Sequence, residues 1–152
     1  MNWIAPLLAF LLPETSTPAP DFLIVARQTS GYTRAQDAFQ NQCVLLATGR
    51  LEGVLQKGKT EEGWKSTTPF REILDQHETQ RILGLLQTAS SGALVTGSTE
   101  CDAGSLEMEG HVSPNLPFVL THHPDCDVST DNESPEAKVL IAWISDHCRF
   151  EH

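Results

Sequence analysis

Four cysteines, Cys43, Cys101, Cys126 and Cys148, constrain this chain more than any other feature of its sequence. Their number is even and no two form a C-x-x-C pair, so neither a zinc ribbon nor a dithiol redox site is indicated. In an oxidising compartment they form two disulfides, and the chain must fold so that two pairs of distant backbone segments meet. Four cysteines allow three connectivities. Choosing among them requires the order of the secondary-structure elements.

Asp21 to Thr29 (D-F-L-I-V-A-R-Q-T) is apolar and β-branched and reads as a first strand, ended by the Ser30-Gly31 turn. Gln42 to Ala47 reads as a second strand. Leu51 to Leu55 is a third strand or a continuation of the second, and Lys57 to Gly63 is a charged turn bracketed by glycines. Trp64 to Leu74 is an extended segment leading into a helix. That helix begins at an Asp75 cap, with Glu78 placed to reach back and complete a capping box. Ile82, Leu83, Leu85, Leu86 and Ala89 recur at helical spacing, and Gly92 follows as a stop. Ser105 to Val112 alternates apolar with polar, Ser113-Pro114-Asn115 turns, and Leu116 to Thr121 returns as the second strand of a hairpin. Pro117 places that second strand at an edge, or makes it start late. A last helix starts at a Ser134 cap with Pro135 in its first position, and Ala137, Leu140, Ile141, Ile144 and Cys148 form one apolar stripe.

The order is thus β-β-β-α-β-β-α. It implies an α+β domain over residues 21–152, an antiparallel sheet with two helices packed on one face. A hairpin turning at Ser113-Pro114-Asn115 pairs residues whose numbers sum to about 228, and Cys101 and Cys126 sum to 227. Cys148 shares the stripe that faces the sheet, and Cys43 lies in an apolar strand that the sheet presents to it. The expected bridges are Cys101–Cys126 and Cys43–Cys148.

Residues 4–12 (I-A-P-L-L-A-F-L-L) are too few to span a bilayer but suit the apolar centre of a signal peptide. A Thr/Pro-rich stretch follows, so residues 1–20 read as a signal peptide and the protein as secreted or periplasmic, with no membrane span. The formal net charge is −10. Residues 1–99 carry nine acids against eight bases, whereas residues 100–152 carry eleven acids against Lys138 and Arg149. Such a surface repels nucleic acid and favours a basic partner or a cation.

Signatures of catalysis are missing: no G-x-S-x-G elbow, no H-E-x-x-H and no phosphate-cradling glycine loop. The chain therefore reads as a non-enzyme with no catalytic residues and no cofactor. Asp125, Asp127, Ser129, Asp131, Glu133 and Glu136 occupy positions 1, 3, 5, 7, 9 and 12 of a calcium-loop pattern. Thr130 stands where such a loop needs glycine, and the stretch equally suits an acidic loop feeding a helix N-terminus, where Asp131, Glu133 and Glu136 meet the dipole. His122 and His123 are adjacent and cannot both face one ion from regular strand.

The run from Arg27-x-x-Ser30-Gly31 through a strand pair to L-D-Q-H-E-T-Q-R-I-L-G-L-L-Q-T-A at Leu74 to Ala89, then a hairpin and a closing helix, resembles small bacterial domains of the emfourin type. The resemblance spans about residues 21–148. The prototype of that family inhibits thermolysin-like metalloproteases, so the resemblance implies a secreted binder of a protein partner, or a protease inhibitor. Two further readings are a calcium- or metal-assisted extracellular module using the acidic loop 125–136, and, third, a small secreted hydrolase.

Overall fold

The computed structural model describes residues 22–112 and 116–151. Residues 1–20, read above as a signal peptide, and residues 113–115, read above as a turn, lie outside the described residues.

The first strand, β1 (Phe22–Thr29), is followed by a single 3-10 turn at Ala35–Asp37 and then by β2 (Phe39–Leu46), β3 (Arg50–Thr60) and β4 (Gly63–Ile73). The first helix, α1 (Gln76–Ala89), precedes β5 (Leu94–Ser98), β6 (Ser105–His111), β7 (Pro117–His123) and β8 (Val128–Asn132), and α2 (Pro135–His147) closes the chain. All eight strands form one antiparallel sheet in the order β4-β3-β2-β1-β6-β7-β8-β5. The fold is α+β, with more strands than the sequence pattern indicates: four precede each helix.

Both helices cover one face. Ile24, Leu45 and Gly110 share one row of the register, and Ala26, Cys43 and Met108 the next. A side chain at Gly110 would meet Leu86 of α1 and the Phe118 ring, and Cys148 at the end of α2 is bonded to Cys43. The core between the layers is made by Ile24, Leu45, Leu51, Met108 and Leu120 of the sheet with Ile82, Leu86, Leu140 and Ile144 of the helices, all fully buried. Burying each such side chain is worth about 1.5–3 kcal/mol. A bulge between Met108 and Glu109 inserts Leu120 as an extra residue of β7 and turns it into this core.

Three local expectations are corrected. Lys57 to Gly63 is not a turn: β3 runs to Thr60 and β4 starts at Gly63, so Glu61-Glu62 alone makes the connection. The charges misled because Lys57 and Lys59 sit in a strand near the sheet edge, where long side chains reach water while the backbone pairs with Ser66 and Trp64. β5 and β8 also escape the pattern. β8 reads V-S-T-D-N, without apolar alternation, and is a strand because β5 and β7 pair with it on both sides. Finally, Asp75 caps α1, its Oδ1 accepting from Glu78 N at 2.7 Å, but Glu78 does not return the bond. Its carboxylate instead accepts from Arg81 at 2.7 and 2.8 Å and from Trp143 Nε1 of α2 at 2.9 Å. Ser134 caps α2, its Oγ accepting from Ala137 N at 3.2 Å. Pro117 is the first residue of β7, which is an interior strand, so the missing amide falls where the ladder begins.

Candidate functional site

The connections β1–β2, β3–β4, β5–β6 and β7–β8 all leave the same end of the sheet, because antiparallel neighbours alternate their turns. The loop at residues 30–38 carries Tyr32, which is 88% exposed. Around this aromatic the loop is closed by short bonds. Ser30 N donates to Phe39 O at 3.0 Å, Phe39 N donates to Ser30 Oγ at 3.0 Å, and Ala38 O accepts from Gly58 N at 2.8 Å. Gly31 lies against the backbone of the β5–β6 loop so closely that a Cβ there would run into Asp102 O and Gly104 N.

That second loop is itself held. Cys101 is bonded to Cys126, tying it to the β7–β8 connection, with Cα atoms 4.2 Å apart. Thr99 joins the same two loops: its Oγ1 lies 2.6 Å from Pro124 O and 2.9 Å from Asp127 O, and it accepts from Asp127 N at 3.0 Å. Asp102 (φ 65°) and Cys126 (φ 59°) occupy the left-handed region, each at a cost of about 1–2 kcal/mol. Such conformations persist where the surroundings over-determine them. The exposed side chains Glu100, Asp102, Asp125 and Asp127 make this half of the loop end acidic.

Beneath the loops is a cavity of about 340 Å³ with a mixed lining, Gln28, Thr29, Ser105 and His123 alongside Phe39 and Leu106. His123 Nε2 stands 2.8 Å from both carboxylate oxygens of Asp131, and Thr121 Oγ1 donates to Asp131 Oδ1 at 2.6 Å. Burial alone would raise the Asp131 pKa. The hydrogen bonds from Thr121 and His123 and the charge of His123 outweigh it, so the carboxyl sits below its ordinary value. These bonds fasten β7 to β8, which share a ladder of two register pairs.

The six residues of the calcium-loop pattern are dispersed. Asp131 is engaged by His123 and Thr121, Asp127 accepts from Val128 N at 2.7 Å, and Glu133 pairs with Lys138 at 2.7 Å. Ser129 is buried in β8, Asp125 is exposed in the β7–β8 connection, and Glu136 is in the first turn of α2. The physical reason is strand geometry: alternate residues of β8 advance by about 6.8 Å instead of wrapping around one point. Among the described residues no group of three or more His, Cys, Asp or Glu side chains is placed to hold a metal ion. His122 lies in register with Glu107 and Thr130, apart from the His123–Asp131 couple.

Comparison with protein-family models, curated proteins and solved structures finds no match.

Tyr32 and the His123–Asp131 couple are the functional candidates that pattern reading misses. The signal for the first was present: the chain's single tyrosine follows a Ser-Gly turn, outside any apolar periodicity. The second has no local signal, since it depends on β8 being a strand.

Proposed function

We propose that the chain is an exported, non-catalytic binding protein that offers the loop at residues 30–38 to a protein partner, and that the partner is a protease. The observation that carries this reading is Tyr32, almost fully exposed on a loop braced by the Gly31–Asp102 contact and, behind it, the Cys101–Cys126 bridge. An aromatic side chain gives a large contact area at small entropic cost, and holding its loop rigid beforehand removes much of the ordering cost of association. Rigidity also suits a ligand that must enter a proteolytic cleft without adopting a cleavable conformation. The resemblance to emfourin-type domains adds the class of protease, thermolysin-like metalloenzymes. Two disulfides fit an oxidising, extracellular setting, and among the described residues no helix is long and apolar enough to cross a membrane.

The test is titration of the secreted protein against a thermolysin-like metalloprotease, following both inhibition and complex formation. Stoichiometric inhibition is expected. Tyr32→Ala should weaken it about 30-fold or more, a loss of about 2 kcal/mol or more for a central aromatic anchor, with the melting temperature unchanged. Absence of a complex discards the protease reading, and a complex indifferent to Tyr32→Ala discards the loop as its contact surface.

A further inference from the structure

The face of the sheet opposite the helices has a charge and hydropathy pattern of its own. The strand register sets Glu109, Val25, Val44, Glu52 and Arg71 in one row across β6, β1, β2, β3 and β4. The next row is Glu107, Arg27, Gln42, Val54 and Pro69. An antiparallel sheet that turns one face to water normally makes that face polar. Here Val25, Val44 and Val54 form its centre; Val44 and Val54 border, with Phe22, Leu46 and Pro69, an open groove of about 590 Å³, and Val25 lines a smaller hollow beside it. None of the described elements covers it. An apolar strip with a polar rim can serve as an interaction surface.

The margins of the strip differ in sign. On the β3–β4 side Arg50 and Arg71 both approach Glu52, at 3.0 and 2.9 Å, so two guanidinium groups share one carboxylate and the margin is basic. On β6 the margin is acidic: Glu107, in register with Arg27 of β1, and Glu109, half-exposed and 3.8 Å from His111 Nε2, both lie on this face.

Two copies of such a face stack with their strands roughly aligned, and a closed pair must be two-fold symmetric. A two-fold axis across the strands would lay β6 on β6 and bring acid against acid. An axis running along β2 lays β6 of each copy over β4 of the other. Glu109 then meets Arg71 twice, once on each side, and Val44 meets Val44 between them. We propose that this face is the docking site for a second copy of the chain, paired about a two-fold axis along β2. Since that axis preserves strand direction, both loop ends emerge on the same side of the pair.

Light scattering and sedimentation of the secreted protein, from about 1 µM to about 500 µM, cover the affinity range of a modest interface. The expected result is a concentration-dependent shift from monomer to dimer mass that weakens as salt is raised. Val44→Asp should weaken association at least about tenfold. Arg71→Glu and Glu109→Arg should each weaken it several-fold, and the double variant Arg71→Glu/Glu109→Arg should recover it. Melting temperatures matching the parent chain establish that each variant is folded. A protein that stays monomeric throughout overturns the proposal, as does a dimer indifferent to Val44→Asp or a double variant no better than its singles. A monomer whose groove instead takes up a fluorescent fatty-acid probe assigns the face to a small apolar ligand and likewise overturns it.

Discussion

Asn132 is the polar side chain on which the two helices depend. It is 2% exposed; its Nδ2 donates to Ala89 O at 2.8 Å, at the end of α1, and its Oδ1 accepts from Ser134 N at 3.1 Å, at the start of α2. Asn132→Ala leaves a buried carbonyl and a part-buried amide without this partner. It should cost about 2–3 kcal/mol in chemical denaturation. Two carboxylates govern the acid limb of stability. The Arg81 hydrogen bond, opposed by burial and aided by the charge of Arg81 and the bond from Trp143, lowers the Glu78 pKa from 4.5 to about 2. Asp131 is lowered as well. A carboxyl whose folded pKa is depressed contributes stability above its unfolded pKa and loses it as pH falls through the folded value. Denaturant unfolding should therefore show stability declining below about pH 4.5, and Glu78→Gln should flatten the decline between 4.5 and about 2. The Asp75–Glu78 spacing was legible as a cap, and the Asp75 half forms. Its Glu78 half does not form, because charge-assisted bonds to Arg81 and a helix-to-helix bond to Trp143 are stronger than a return to the backbone.

At the scale of elements, the two disulfides do different work. Cys43–Cys148 closes a separation of 105 residues and lies in the core, both cysteines essentially unexposed. Cys101–Cys126 closes 25 residues at the exposed loop end. Loop-closure entropy assigns them about 4.7 and about 3.5 kcal/mol. Serine pairs at 43 and 148 should thus lower stability more than serine pairs at 101 and 126, with buried hydroxyls adding to the difference. Equilibrium unfolding of the two double variants measures it. The pairing was legible because helix periodicity fixes where Cys148 points and hairpin arithmetic brings 101 near 126. The helices were legible through their caps. β5 and β8 were not, because Leu94–Ser98 is wholly exposed at an edge and Val128–Asn132 is polar, so neither carries an apolar period.

Across the whole molecule, stability should be graded from the middle of the sheet outwards. β1 sits between β2 and β6, and these three strands bring Ile24, Cys43, Leu45 and Met108 under the helices. β5 is an edge strand with all five residues exposed. Amide hydrogen exchange should be slowest in β1, β2 and β6, where opening requires near-global unfolding, and fastest in β5. A slowest-exchanging set in β5 or β4 would contradict this ordering of the sheet. By itself the sequence determined the helices and their capping residues, the central strands, the cysteine pairing and the concentration of acid after residue 100, because each is written in local periodicity or in counting. The tertiary structure decided the rest. It made polar V-S-T-D-N a strand, brought Asp131 against His123, and set Tyr32 on a braced loop. It also gave the helix-free face an apolar strip with margins of opposite charge. The physical reason is common to all four: they depend on which backbone lies alongside, and cross-strand partners such as Glu109, Val25, Val44 and Arg71 are far apart in the chain.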